Sequence, residues 1–587
     1  MKRSLGKALI GRLAAFCAIA APLIAADEVS ATKQTAGIWR AEHRLIDVHQ
    51  HVGSREDWLR RDIKIMDAAG IGIVVNLSGG YTTHKGADPS EFEKTKTLAD
   101  RLFPGRFVHY MSLDYEGWDA PDFSAQAVKQ VEEGHRLGAA GFKEYKRLGL
   151  SLRDGAGKLI AIDDPKLDAV WQRCGELGMP VSIHVADPRA FWLPRDESNE
   201  RWKELKDHPH WWFGDPAKHP PREQLLAALD RVIARHRGTT FVAVHFANNA
   251  EDLDWVDKAL DRNPNMLADL AARIPELGRH DPAKGRALFL KHQDRILFAT
   301  DFQVYDELTL GSGGSGPPPS DADAEVFFAK HWQWLETDDR QFDHMTPIQG
   351  DWKIDAIGLP AAVLRKVYFD NARRLLVRSM PLPVVTAHHV PTDFTLDGDL
   401  TKAVWSTAPA ARLDSLLRDG AARPELTTEV RLLWSDTYLY LGYYAPFTGL
   451  TVFEPTSQAP ERIGLWEKDV VEAFIGADAR KSSRYCEFEV APIGEKLDLR
   501  VDLPAKDFAW DSGFESSVKV DMKKKVWTTE MRIPLAALSP VKPSPGSRWR
   551  MNLYRHDVAN HAFLAWSPTA TGSAHTPERF GYLRFSQ

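Results

Sequence analysis

Cysteine is nearly missing from this chain, with three in 587 residues. Cys17 falls inside an N-terminal apolar run, which leaves Cys174 and Cys486 for the folded protein. Two thiols so far apart build no disulfide framework and no cysteine-held metal site. A metal, if bound, must be held by histidines and carboxylates. A charge excess is also missing: 75 Lys+Arg against 81 Asp+Glu give a net charge of -6, without a basic block. That balance argues against a dedicated nucleic-acid binder. Beyond the N-terminus no run is long and apolar enough to span a bilayer. No glycine-rich phosphate loop follows a strand candidate, so a dinucleotide-type open sheet has no support.

What is present starts with a targeting segment. Lys2, Arg3, Lys7 and Arg12 precede an apolar run from Leu13 to Ala26, broken only by Pro22. Small residues then allow cleavage after Ala26 or Ala31. Residues 1–26 read as a secretory signal peptide, with an uncleaved anchor as the alternative, and predict export to the periplasm or the extracellular space. The apolar share of 43% and charged share of 27% are those of a soluble globular protein, and 587 residues are too many for one ordinary core.

Between Leu45 and about Leu375, apolar runs alternate with helical stretches. The runs are Leu45–His51, Ile71–Asn76, Phe107–Met111, Ala140–Lys143, Pro180–His184, Thr240–His245, Met266–Asp269 and Arg295–Asp301. Eight strand–helix units with strands apolar on both faces predict an α/β protein, a (β/α)8 TIM barrel, over residues 32–378. The loop Leu310-Gly311-Ser312-Gly313-Gly314-Ser315-Gly316 would then lie on the catalytic face, as a lid or a loose insertion. Pro381, Pro383 and Pro391 mark residues 379–391 as a linker. Beyond it, runs such as Thr428–Trp434, Tyr438–Tyr444, Asp469–Ile475 and Tyr485–Val490 alternate with period two, which predicts an all-β antiparallel sandwich over 392–587.

Polar residues close the barrel strands in register. His49 and His51 end the first run, at positions whose side chains share one side of a strand. Lys143 ends the fourth, His184 the fifth, His245 the sixth and Asp301 the eighth. A lone histidine at a strand end is usually structural. Four histidines and an aspartate, each closing a separate apolar run where barrel enzymes carry their catalytic groups, point to a metal site. The pair in His208-Pro209-His210 sits in a polar, Trp-rich loop and matches what chance produces. Arg147, Asp187, Arg189 and Arg195 follow strands four and five, and Asp269 and Arg273 follow strand seven. Each set is read as substrate contacts, or else as a solvated loop face or an ion pair at the mouth.

Residues 44–375 resemble the amidohydrolase superfamily, in its amidohydrolase-related branch. The resemblance is carried by Asp47-Val48-His49-Gln50-His51, Ile183-His184, Val244-His245, Phe298-Ala299-Thr300-Asp301 and Gly358-Leu359-Pro360 with Asn371-Ala372-Arg373-Arg374-Leu375. It implies a metal-dependent hydrolase, or in some members a non-oxidative decarboxylase. By this resemblance His49, His51, His184 and Asp301 would hold a divalent metal, most often zinc, as one ion or two. The metal would supply an activated water at neutral pH. Asp301 would accept its proton, and His245 would orient the water or stabilise the carbonyl oxygen. Lys143 would be a carbamylated bridge between two metals, or alternatively an ion-pair or substrate contact.

The C-terminal part resembles family 9-like carbohydrate-binding modules. Leu465–Ile475, Trp527 with Arg532–Leu535, Trp549–Arg555, Trp566-Ser567-Pro568 and Pro577–Leu583 carry the resemblance. Trp466, Trp510 and Trp566 are candidate sugar contacts, because the C–H face of a pyranose packs on an aromatic ring, and core packing is the plainer role of each. Together these readings predict an exported hydrolase acting through a metal-activated water on a lactone, ester or amide bond. The substrate would be a small carbohydrate-derived or carboxylic-acid molecule. A decarboxylase on the same barrel and a non-catalytic glycan-binding protein are the alternatives. Expected partners are a small molecule and a carbohydrate, with no nucleic acid and no membrane span after signal cleavage.

Overall fold

The apolar runs become strands wherever both faces can be buried. In a computed structural model, which describes residues 26–456 and 461–587, they are β1 (Leu45–Val52), β2 (Ile71–Asn76), β3 (Phe107–Met111), β4 (Gly141–Glu144), β5 (Val181–Ile183), β6 (Phe241–Ala243), β7 (Met266–Asp269) and β8 (Ile296–Leu297). All of β1 is buried, which fits a strand covered on both sides. Residues 1–25 of the segment read as a signal peptide lie outside the described residues. A helix, Ala26–Ala41, leads into β1 and buries Ala36 and Trp39 in the same core. No helix among the described residues is long and apolar enough to cross a membrane.

From β1 to β8, each strand pairs with the next in parallel. The helices between them end where the sequence demands it. Gly70 closes Glu56–Ala69 and Gly178 closes Asp168–Leu177, both with left-handed backbone. The eighth run is shorter as a strand than expected, because the chain turns at Thr300-Asp301 before continuing as β9 (Phe302–Val304). That turn brings it back to the first strand: Val48 N donates to Phe298 O at 3.1 Å, Asp301 N donates to His49 O at 2.9 Å, and β9 runs parallel to β1. β10 (Leu308–Leu310) then folds back antiparallel on β9.

A separate set of cores starts after Leu376. Its strands form one hydrogen-bonded path whose middle runs Arg484–Val490, Val470–Gly476, Arg548–Asp557, Gly581–Ser586, Val384–His389, Thr428–Trp434, Tyr438–Pro446 and Val526–Pro534. The pairing is antiparallel except at Val384–His389, which is parallel to both neighbours. This strand lies inside the stretch read as a linker. It enters from the first unit with no hairpin to fix its direction, and so fills the gap between two strands distant in sequence.

Three glutamates are buried on neighbouring strands of this sheet: Glu472, opposite Glu489, and Glu487 two residues before Glu489. Burial raises all three carboxyls, Glu487 to about 7, and repulsion from the neighbouring glutamates adds to the rise at Glu472 and Glu489. In an unfolded chain each would titrate near ~4.3. Between that value and about 7, the folded state therefore holds protons that the unfolded state has lost, so stability falls as pH rises through this window. Glu489→Gln keeps the shape and cannot ionise. It is expected to stabilise this unit at pH 8 by roughly 1–3 kcal/mol and to change little at pH 5, read from denaturation midpoints at both pH values.

Candidate metal centre

β1 presents His49 and His51 to the same side, and three other strand ends supply the rest. His49 Nδ1 donates to Asp269 Oδ2 at 2.9 Å, which turns Nε2 towards the centre. His51 is held through Nδ1, 2.8 Å from Ser78 Oγ, and His245 donates from Nδ1 to Ala271 O at 2.8 Å. The free nitrogens face Asp301, whose Oδ1 lies 3.5 Å from His51 Nε2 and 3.7 Å from His49 Nε2. Donor atoms of His49, His245 and Asp301 all lie within 4.8 Å of one another. Lys143 Nζ sits 3.5 Å from His49 Nε2.

Two backbone features aim these groups. His245, Phe246, Ala247 and Asn248 all have positive φ, as does Asp301 at 60°. Such backbone costs a non-glycine residue roughly 1–2 kcal/mol. It persists because neighbours fix it: Asp269 Oδ1 accepts from His245 N at 2.7 Å, and Arg222 donates to Asn248 O at 2.7 Å. Asp47 does the same for the other half of the centre. Its Oδ1 accepts from His49 N and Thr300 N, and its Oδ2 from Thr300 Oγ1 at 2.5 Å and Gln50 Nε2 at 2.7 Å, which ties the His49 and Asp301 segments together.

Electrostatics suit a cation. Burial, reinforced by nearby cationic groups, pushes His49, His51 and His245 well below the usual imidazole range, and burial takes His184 to about 4. All four rings are therefore neutral and able to donate lone pairs. Burial lifts Asp301 and lowers Lys143, and each opposes the shift of the other. Neutral imidazoles with their outer N–H groups anchored, beside one half-buried carboxylate, form a donor set that fits zinc or a similar divalent ion.

His184 reaches the same site, with its ring 4.3 Å from that of His245. Its Nε2, however, is engaged by Ala186 O at 3.0 Å and lies 3.5 Å from Asp187. Of the expected substrate contacts, Asp187 and Arg273 line the cavity, while Asp269 anchors His49 from behind. Arg147 is turned away, onto Tyr81, Leu113 O and Glu144. Arg189 and Arg195 are exposed and border no part of the cavity. Lys146, paired with Asp187 at 2.6 Å, takes the place expected for an arginine. In the second unit Trp466 is 38% exposed, Trp510 packs on the core beneath Arg500, and Trp566 borders a different cavity.

The cavity over the centre measures about 610 Å³. The glycine-rich loop forms one wall of it: His208 Nε2 donates to Gly313 O at 2.9 Å, Ser312 bonds Glu204, and Ser315 N donates to Asp207 at 2.9 Å. His208, read from sequence as a chance match, is thus part of the site. Tyr145, Tyr305 and Trp211 complete the walls. Their only sequence signal is nearness to strand ends or to the Trp-rich loop.

Residues 113–378 match the family model described as amidohydrolase, and 396–587 match the carbohydrate family 9 binding domain-like model. The first match contains His184, His245 and Asp301, and the His49–His51 pair lies upstream of it. An "Extracellular protein" of Arthroderma benhamiae is 28% identical over 181 residues, which are 28% of this chain and 80% of that one. Among solved structures, a family 9 carbohydrate-binding module from Caldicellulosiruptor kristjanssonii in complex with cellotriose is 17% identical. It covers 35% of this chain and 94% of its own, with a TM-score of 0.27. A 2,6-dihydroxybenzoate decarboxylase from Rhizobium is 16% identical and covers 57% of this chain and 98% of its own, with a TM-score of 0.32.

Proposed function

From a chain that carries an amidohydrolase domain and a carbohydrate family 9 binding domain-like domain, we propose an exported, metal-dependent hydrolase. Its target is a lactone, ester or amide bond of a small carbohydrate-derived or carboxylic-acid molecule. The observation that carries this reading is the convergence of neutral His49, His51 and His245 on Asp301, each imidazole anchored through its outer nitrogen. We read the first unit as a closed (β/α)8 barrel, supported by the bonds from Val48 and Asp301 across the β1 edge.

In this reading His49, His51, His245 and Asp301 would hold the metal, zinc by preference, and His184 would join if its ring turned from Ala186. The metal would supply Lewis acidity and a nucleophilic water at neutral pH. Asp301 takes the proton of the attacking water and returns it to the leaving group. Lys143, Lys146 and Arg273 place positive charge around the cavity, where a carbonyl oxygen gains negative charge in the transition state. The loop from Gly311 to Gly314 and the rings of Tyr145, Tyr305 and Trp211 limit the entry of bulk water.

The test is metal analysis of the purified chain together with turnover of a panel of lactones, esters and amides. Metal loading with hydrolysis of one class supports the proposal. Release of CO2 from a carboxylic acid, with no hydrolysis anywhere on the panel, would replace it with a decarboxylase.

We place the boundary between the units just before Val384, since that strand belongs to the second sheet. Fragments covering residues 32–378 and 381–587 are each expected to fold, because each keeps its own core. The first should keep its metal and its activity on small substrates. Both should lose some stability, since Asp414 is cut from Arg44, Arg365 and Arg373. Circular dichroism, metal content and kcat/KM check this. A folded, metal-loaded but inactive first fragment would mean that the second unit completes the site.

A further inference from the structure

A second cavity, of about 790 Å³, lies between the two units. Arg44 and Arg373 come to it from the first unit, and Arg412, Trp566 and Arg579 from the second. Arg44 precedes β1, whereas His51 is near that strand's other end, so the two cavities are roughly 20 Å apart along it.

The charge here is out of balance. Four guanidiniums line the cavity against two carboxylates, Glu42 and Asp414. Asp414 is buried and is shared by Arg44 at 3.5 Å, Arg365 at 3.4 Å and Arg373 at 3.7 Å. Arg365 also holds Asp370 at 2.9 Å, and Glu42 lies 3.8 Å from Arg44. Two carboxylate oxygens cannot fill the N–H groups of three guanidiniums. Arg412 lies 4.0 Å from Glu429 and its charge also reaches Asp414, and Arg579 donates to the carbonyls of Met380 and Pro568. Burial and the neighbouring Arg373 hold Arg44 down to about 10, and Asp414 offsets part of that fall.

The walls add a ring and a hydroxyl. Trp566 borders the cavity and rests on Gly581, where even a Cβ would come within 2.6 Å of the indole. Ser567 is buried on the same wall, and among the described residues its Oγ has no hydrogen-bond partner. We propose that this cleft binds an acidic saccharide, a uronic acid residue whose carboxylate is held by Arg412 and Arg373 and whose ring packs on Trp566. A guanidinium fork matches a carboxylate with two parallel hydrogen bonds, and the C–H face of a pyranose matches an indole. A neutral sugar would leave the guanidiniums unmatched, and a bare inorganic anion would not use the ring.

The test is calorimetric titration of the full chain with a galacturonic acid trisaccharide, a neutral galactose trisaccharide and sulfate. The acidic sugar is expected to bind at least about tenfold more tightly than either of the others, and more weakly as salt rises. Arg412→Gln, a change at a side chain 45% exposed, should weaken it by about tenfold or more without unfolding the chain. Trp566→Phe should weaken it less, and the His49→Ala/His51→Ala variant should bind it normally, which separates this site from the proposed hydrolase centre. Equal affinity for the neutral sugar, sulfate binding as tightly as the uronate, no effect of Arg412→Gln, or loss of binding in the histidine variant would each overturn the proposal.

Discussion

Replacing His49 and His51 together by alanine is expected to abolish metal binding and lower turnover by on the order of 10³-fold or more, since activation of the water depends on the ion. The two imidazoles are the only donors that β1 sends into the centre, and each is positioned from behind, by Asp269 and by Ser78. With both gone, Asp301, His245 and His184 remain, and His184 Nε2 is engaged by a carbonyl. The fold should survive. β1 keeps its apolar Leu45, Ile46, Val48 and Val52, and its pairing with β2 and β9 is made by backbone. Circular dichroism should therefore match the parent while metal content falls to background. A double variant with parental metal content and turnover would show that the centre lies elsewhere.

The strands that carry this centre were legible because burial on both faces leaves a plain apolar run, and because each run closes on a polar residue. His49, His51, His245 and Asp301 could be found that way. The turn at Thr300-Asp301 could not: its left-handed backbone depends on Asp47, some 250 positions earlier in the chain, accepting from Thr300. Asp269 was visible as a polar strand end, but its part as the anchor of His49 and His245 appears only once β7 stands between β6 and β8. His208 was hidden for a different reason. A loop histidine carries no periodicity, and its meeting with Gly313 joins segments about a hundred residues apart. The parallel strand Val384–His389 was masked by Pro381, Pro383 and Pro391 around it, although a proline outside a strand removes no ladder donor from it.

Asp301→Asn is expected to lower kcat by on the order of 10²-fold or more while leaving part of the metal in place. Asparagine keeps the size of the side chain and one oxygen for the cation, and it tolerates left-handed backbone better than most residues, so the 60° φ at this position should persist. What it loses is the ability to take up a proton. Asp301 suits that task because it faces the inner nitrogens of His49 and His51 from a half-buried position, where desolvation raises its affinity for protons and Lys143 restrains the rise. If Asp301 acts only as a ligand, turnover should fall in proportion to metal content and recover when the metal is restored. If it carries the proton, kcat per bound metal stays low at any metal concentration, and KM changes far less than kcat. Near-parental turnover per metal would remove Asp301 from the proton path and leave it a structural ligand of the centre.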